Sequence, residues 1–221
     1  MYLILTIVDV ATILIVYGIL FLGELGDKTQ LIVFNLALEY DKFYKVGIGV
    51  TFGFLILVSI GVFFGTVITK FIPLIIISIA SGIVFIIIGI IEALNLKKVY
   101  LERKERENDI KSNVTDNPPK ITETSPLKIP KLKNNPYIAG FIYIFIMELG
   151  DKTQILTISL TSIYNAPFEV WIGSFLSLIS VAWMGILLGT IIARKVPKFY
   201  LKLISTTIFI LVGILILITS F

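Results

Sequence analysis

Seven residues, Glu24-Leu25-Gly26-Asp27-Lys28-Thr29-Gln30, return letter for letter as Glu148-Leu149-Gly150-Asp151-Lys152-Thr153-Gln154. Each copy sets two carboxylates and one ammonium, with a hydroxyl and an amide beside them, in a stretch otherwise apolar enough to lie in a lipid bilayer. On a regular helix Glu24, Asp27, Lys28 and Asn35 share one face, and Glu148, Asp151, Lys152 and Ser159 share the matching face of the second copy. A charged side chain at the bilayer centre costs about 2.5–3.5 kcal/mol on insertion scales, so the charges of both motifs, each standing alone, would cost roughly 15–20 kcal/mol. They must be paired, protonated, hydrated or bound to an ion.

Fully ionised, each motif carries one net negative charge and the pair carries two, which one divalent cation or two protons would neutralise. The chain has no His and no Cys, so the donors are carboxylate, hydroxyl and carbonyl oxygens. Such a set suits Ca²⁺ and Mg²⁺, accommodates Mn²⁺, and argues against a dedicated Zn²⁺ or Cu²⁺ carrier. Carboxylates that hold either metal or protons, at one site exposed alternately to two faces, meet the minimum requirement for a cation/proton antiporter. Lys28 and Lys152 are internal counter-ions for the moments when the metal has left. Thr29 and Thr153 lie off the acidic face of a regular helix, so direct ligation by them needs a backbone break at the glycine. Gln30 and Gln154 are lining or outer-shell groups. No cofactor is expected: the divalent cation, Mn²⁺ or Ca²⁺, is cargo. The plainer reading, two Glu–Lys pairs at i, i+4 that hold a bundle together, is the weaker one, because paired buried charges stabilise less than apolar packing.

The elements that position these motifs are membrane helices. Of 221 residues, 57% are hydrophobic and 15% charged, and the mean hydropathy is +0.97, far above a soluble domain. A bilayer core takes about 20 helical residues to cross, and six such spans fit. Residues 2–38 would overshoot as one straight helix, which predicts a break near Gly23 or Gly26 or an interfacial first segment. Further spans are predicted near 46–69, 71–96, 136–163, 168–193 and 199–220. Residues 97–135 hold ten Lys or Arg, six Asp or Glu and four prolines, the composition of a solvated linker. The fold class expected is an all-α integral membrane protein of six transmembrane helices. Its plan is a first three-helix repeat over 1–96, a cytoplasmic linker over 97–135 and a second three-helix repeat over 136–221.

A shift of 124 residues superposes far more than the motif: Gly49 falls on Gly173, Gly61 on Gly185, Pro73 on Pro197, Ser81 on Ser205, Phe85 on Phe209 and Gly89 on Gly213. This is an internal duplication. An odd number of spans per unit makes the repeats inverted, with the two motifs facing each other near mid-membrane. Sixteen Lys and Arg fall on one side of the spans against Lys70 alone on the other, which puts the linker in the cytoplasm and both termini outside the cell membrane. No Lys, Arg or small-residue cleavage pattern marks the first twenty residues as a removable signal. Small residues at every fourth position of the second and fifth spans, Gly49, Gly53, Gly61 and Gly65 and then Gly173, Ser177, Gly185 and Gly189, read as packing seams. Asp9 and Glu92 lack acidic counterparts and lie near span ends, which predicts interfacial positions.

The doubled Glu-x-Gly-Asp-(Lys/Arg)-(Thr/Ser) motif, on the first helix of each half around a hydrophilic linker, resembles the membrane family once catalogued as uncharacterised protein family 0016, the calcium- and manganese-handling cation/proton exchangers. The resemblance implies that Glu24, Asp27, Glu148 and Asp151 bind the transported cation, supported by Lys28, Thr29, Lys152 and Thr153. Where the second motif of that family commonly reads Arg-Ser, this chain has Lys152-Thr153, and where Ala commonly precedes the Glu it has Gly23 and Met147. The alternatives are a passive divalent-cation channel and an intramembrane aspartyl enzyme. The second is disfavoured by the Lys beside each Asp, which hinders proton sharing. No phosphate-binding loop supports ATP-driven pumping. The partners are the lipid bilayer, divalent cations and protons, with no nucleic acid and with homo-oligomerisation left open; the chain is not read as an enzyme. Asp27→Asn or Asp151→Asn is expected to abolish cation-coupled proton movement in liposomes; a variant that still couples the two fluxes would remove these aspartates from the site.

Overall fold

The computed structural model describes residues 9–25, 27–40, 42–112, 135–195 and 198–220. For Lys28, Leu31, Asn95, 97–112, 188–195, 198, 199 and 201 it describes the backbone alone, so the expectations for Gly26, the Lys28 side chain, Gly189, Pro197 and linker residues 113–134 fall outside the described residues. The described residues are all helical or in turns. The helices are α1 (Val10–Glu24), α2 (Lys28–Leu38), α3 (Phe43–Phe71), α4 (Leu74–Ser112), α5 (Pro136–Glu148), α6 (Lys152–Tyr164), α7 (Pro167–Lys195) and α8 (Lys198–Thr219).

Four of them, α3, α4, α7 and α8, contain stretches long and apolar enough to cross a membrane. The break expected in the first span divides α1 from α2, the fourth span is likewise divided, α5 from α6, and both divisions fall on the repeated motif. The cause is local. Leu25 and Leu149 leave the helix in extended conformation (ψ 118° and 114°), and Gly150 takes a left-handed φ of 81°, which a residue without Cβ adopts freely. Asp151 then restarts the helix as its N-cap, its carboxylate accepting the Lys152 N–H at 2.8 Å. Gln154 turns back to accept the Gly150 N–H at 2.6 Å, a close variant of the capping box. Asp9 caps α1 in the same manner, accepting from Ala11 N and the Thr12 hydroxyl. The Thr12 hydrogen bond holds its exposed carboxyl below the usual range.

The long helices lie across these breaks. Helix α3 packs along both α5 and α6, and α7 along both α1 and α2. The small-residue stripes are the seams. A Cβ on Gly49 would overlap the Tyr137 carbonyl, and one on Gly173 would lie 2.8 Å from the Ile13 carbonyl, its counterpart at the same 124-residue offset. Beyond the break, Gly61 meets Thr157 at 3.0 Å and Gly185 meets the Gln30 carbonyl at 3.0 Å. Two tryptophans of α7 tie it to α3, Trp171 donating to Ser59 at 3.0 Å and Trp183 to Thr51 at 3.3 Å.

Helices α4 and α8 form a second layer. Gly89 packs on Ile210, and Gly213 packs on Ile86 and the Gly82 carbonyl, while Phe85 and Phe209, both wholly buried, meet edge to face. This layer does not sit symmetrically. Helix α8 packs on α1 and α4 on α6, whereas the counterpart pairings of α4 with α5 and α8 with α2 are slight or lacking among the described residues. Phe209 lies where a Cβ on Gly23 would be, but the residue matching Gly23 in the second copy is Met147.

Because Gly49 faces backbone that cannot rotate away, Gly49→Val is expected to cost about 1–3 kcal/mol and to lower the thermal unfolding midpoint in detergent by several degrees. Gly18 has nothing within 4 Å of its Cβ position, so Gly18→Ala should leave the midpoint unchanged or raise it.

Candidate functional site

Each break turns the start of a helix toward the glutamate of the other repeat. Thr29 Oγ1 donates to Glu148 Oε1, and Thr153 Oγ1 donates to Glu24 Oε1 at 2.5 Å. Both glutamates are 3% exposed. Thr29 and Thr153 stand in the first turns of α2 and α6, so each buried carboxylate also meets the positive end of a helix dipole, a setting that favours anionic oxygen. The two motifs are thereby joined by a reciprocal clasp between residues of opposite copies.

Lys152 organises the acids on one side of the clasp. Its Nζ lies 2.5 Å from Asp27 Oδ2, 3.7 Å from Glu24 Oε1 and 3.1 Å from Glu92 Oε1, and it donates to the Gly23 carbonyl at 3.2 Å. Glu92 Oε2 in turn meets Lys202 Nζ at 3.3 Å. Glu92 is thus largely buried and ion-paired, a role that its place near a span end does not indicate. The signal that would have found it is its solitude: no other charged residue occurs between Leu74 and Leu96.

A cavity of about 620 Å³ opens beside these groups, lined by Asp27 and Thr29, by Met147 and Leu149 through Lys152, by Ile88, Ile91 and Glu92 of α4 and by Lys202 of α8. Asp151 is exposed on its wall. Four buried oxygens have no hydrogen-bond partner among the described residues: Glu148 Oε2, Ser174 Oγ, Ser177 Oγ and Thr206 Oγ1. The orphaned Glu148 oxygen is the most telling, since a buried carboxylate oxygen without a donor is costly unless a proton or cation meets it.

Of the residues singled out from the sequence, Glu24, Asp27, Thr29, Glu148, Lys152 and Thr153 are therefore brought together in direct contacts. Gln154 braces the break, and Gln30, 4% exposed, faces the Val181 carbonyl of α7. Asn35 is exposed, and Ser159 lies buried about 10 Å along α6 from Lys152. The face drawn for a continuous helix does not survive the break. Among the described residues no three acidic side chains stand in an arrangement that could hold a metal ion; in this state Lys152 fills the space between Asp27, Glu24 and Glu92.

Apolar helices long enough to cross a bilayer, with carboxylates buried at paired interruptions beside an open cavity, fit an integral membrane protein. Its sequence relationships agree. The sequence model of the family described as divalent cation/proton antiporter GDT1 matches residues 12–98 and 136–221, and the chain belongs to that family. A GDT1-like protein of Schizosaccharomyces pombe is 23% identical, with 90% of this chain and 86% of that protein aligned. A GDT1-like protein of Synechocystis is 27% identical over 87% of this chain and 89% of its own length. A protein of Vibrio cholerae, named as a candidate manganese exporter, is 32% identical over 36% of this chain and 40% of its own. No solved structure gives a significant match.

Removing one side of the clasp separates its hydrogen bond from bulk packing. Thr153→Val keeps shape and loses the donor to Glu24, and is expected to lower stability in detergent by about 1.5–3 kcal/mol, the value of a hydrogen bond to a charged group. Thr153→Ser should retain most of it, and a loss in Thr153→Ser with none in Thr153→Val would show that the methyl group matters and the hydroxyl does not.

Proposed function

We propose that this chain is a secondary transporter that exchanges a divalent cation, Mn²⁺ or Ca²⁺, for protons by alternating access, with Glu24, Asp27, Glu148 and Asp151 as the groups that hold the ion or the protons. The observation that carries this reading is the reciprocal clasp, in which each buried glutamate is bound by a threonine of the opposite copy. Two half-sites locked to each other form one site, and its donors are oxygens suited to hard divalent ions. The name of the Vibrio cholerae relative points the ion preference toward manganese.

In this reading α1 with α2, and α5 with α6, each make one interrupted crossing, so that six crossings form two inverted repeats over 1–96 and 136–221. The abundance of basic residues in 97–135 puts the linker in the cytoplasm and the termini outside. The large cavity, which Glu92 and Lys202 line where α4 runs out to the linker and α8 begins, then faces the cytoplasm. Exchanging the roles of the two repeats would move α4 and α8 onto α5 and α2, closing that cavity and opening its counterpart, which is how inverted repeats generate two access states.

The ionic state supports competition at one site. Lys152 now stands between Asp27 and Glu24 as their shared counter-ion. Two unit charges about 4 Å apart repel by roughly 4 kcal/mol at an effective dielectric of 20, so a cation arriving at Asp27 must displace the ammonium. Protons returning to the carboxylates release the cation in turn.

Purified protein in liposomes is expected to move Mn²⁺ or Ca²⁺ against an opposing proton flux, with an imposed pH gradient driving cation accumulation. Cation flux that neither moves protons nor responds to any pH gradient would leave a passive channel as the correct reading. Since the chain has no cysteine, Ile91→Cys on the cavity wall gives a clean reporter. An impermeant thiol reagent should label it from the linker side only.

A further inference from the structure

Glu92 of α4 is 9% exposed, and its two carboxylate oxygens face two different ammonium groups, Oε1 toward Lys152 at 3.1 Å and Oε2 toward Lys202 at 3.3 Å. Lys152 Nζ is at the same time 2.5 Å from Asp27 and 3.7 Å from Glu24. One ammonium therefore stands between the motif carboxylates and a carboxylate on a different helix, on the wall of the large cavity.

The duplication argues that the three-helix unit does not require this arm for its packing. At the 124-residue offset Glu92 corresponds to Ile216 and Lys202 to Ser78, so the other copy carries no charge at either position. A buried ion pair adds little net stability over well-packed uncharged side chains, which leaves the presence of this one to be explained by something other than the fold. Lys28, the counterpart of Lys152, is offered no matching acid by the sequence.

A lysine ammonium sits on a flexible four-carbon stem and can move several ångströms while its backbone stays in place. A cation competing for Asp27 and Glu24 drives it off them, and in apolar surroundings it needs an acceptor wherever it goes. Glu92 already touches it. Lys202 keeps Glu92 neutralised while Lys152 rests on Asp27, and the cavity gives Lys202 access to water when Lys152 takes its place.

We propose that Glu92 is a positioning residue for exchange: it receives the Lys152 ammonium that the arriving cation displaces from Asp27, freeing the motif carboxylates without leaving a buried charge unpaired. Glu92 acts through Lys152 and does not touch the ion. The proposal rests on the reading of Glu24 and Asp27 as cation ligands.

The test is Mn²⁺ binding to the purified full-length protein in detergent, followed by titration calorimetry. Glu92→Gln is expected to raise the Kd roughly tenfold, equivalent to about 1.4 kcal/mol, and Glu92→Asp to restore most of the affinity. A lost negative charge would also weaken binding through space, so the deciding comparison is made in a Lys152→Met background. There the same Glu92→Gln change keeps only its through-space part and should raise the Kd clearly less than it does with Lys152 present. Equal weakening in both backgrounds, or none with Lys152 present, overturns the proposal. Should Glu92→Gln fail to fold, Lys202→Met tests it from the other side, since Glu92 then draws Lys152 away from Asp27. Tighter Mn²⁺ binding that depends on Lys152 is expected, and unchanged affinity overturns the proposal. Wild-type protein that binds no Mn²⁺ brings down the site reading and this proposal together, whereas wild-type binding with a neutral Glu92→Gln brings down this proposal alone.

Discussion

A carboxylate buried among lipid-facing helices has no water to draw on, so its donors must come from inside the fold. Here each motif glutamate finds them at the start of the other repeat's second half-helix, through a threonine hydroxyl and a helix N-terminus. The rest of the architecture follows from that exchange. The first helix of each repeat must stop at the motif to release a helix start, and in the second copy Gly150, the Asp151 cap and the returning Gln154 stop and restart it. The long neighbouring helix must then bridge the interruption, and its glycines let it lie close enough to cover both halves.

The duplication is faithful where the clasp is made and unfaithful around it. Equivalent glycines meet equivalent carbonyls and side chains, and the clasp hydrogen bonds are exchanged between copies. Yet Gly23 is matched by Met147, Glu92 by Ile216 and Lys202 by Ser78. Each difference falls where α4 and α8 meet the interrupted helices. Phe209 settles against Gly23; the matching contact, Phe85 against Met147, would meet a side chain instead of a space. In the proposed exchange the two seatings of the outer layer would be chemically unequal, one lined by an ion-paired arm and the other by an isoleucine and a serine. In a carrier of two access states, such inequality sets which seating is favoured when the site holds no cargo.

Much of this is legible in the residues. The doubled heptad, the membrane composition, the oxygen-only donor set, the need for a break and the glycine seams all follow from residue types and local spacing, and family membership bears out the cation chemistry they suggest. Three things are not legible. Helical periodicity aligns Asn35 with the acids, yet it lies exposed, because a periodicity counted across Gly26 assumes a helix that does not continue. A place near a span end gives Glu92 no partners, and only the packing of α6 and α8 brings Lys152 and Lys202 to it. The predicted fourth span, short enough to cross unbroken, is nonetheless a pair of short helices, since a hydropathy run records apolar length and not backbone continuity.

The division has one physical reason. What depends on neighbours in the chain, such as helix propensity, capping, a glycine's left-handed turn or the hardness of an oxygen donor, was determined by the sequence itself. Which carboxylate each threonine binds, and which acids share Lys152, link residues separated by 60 to 129 positions. Those pairings arise from how interrupted and continuous helices pack, so only the tertiary structure decided them.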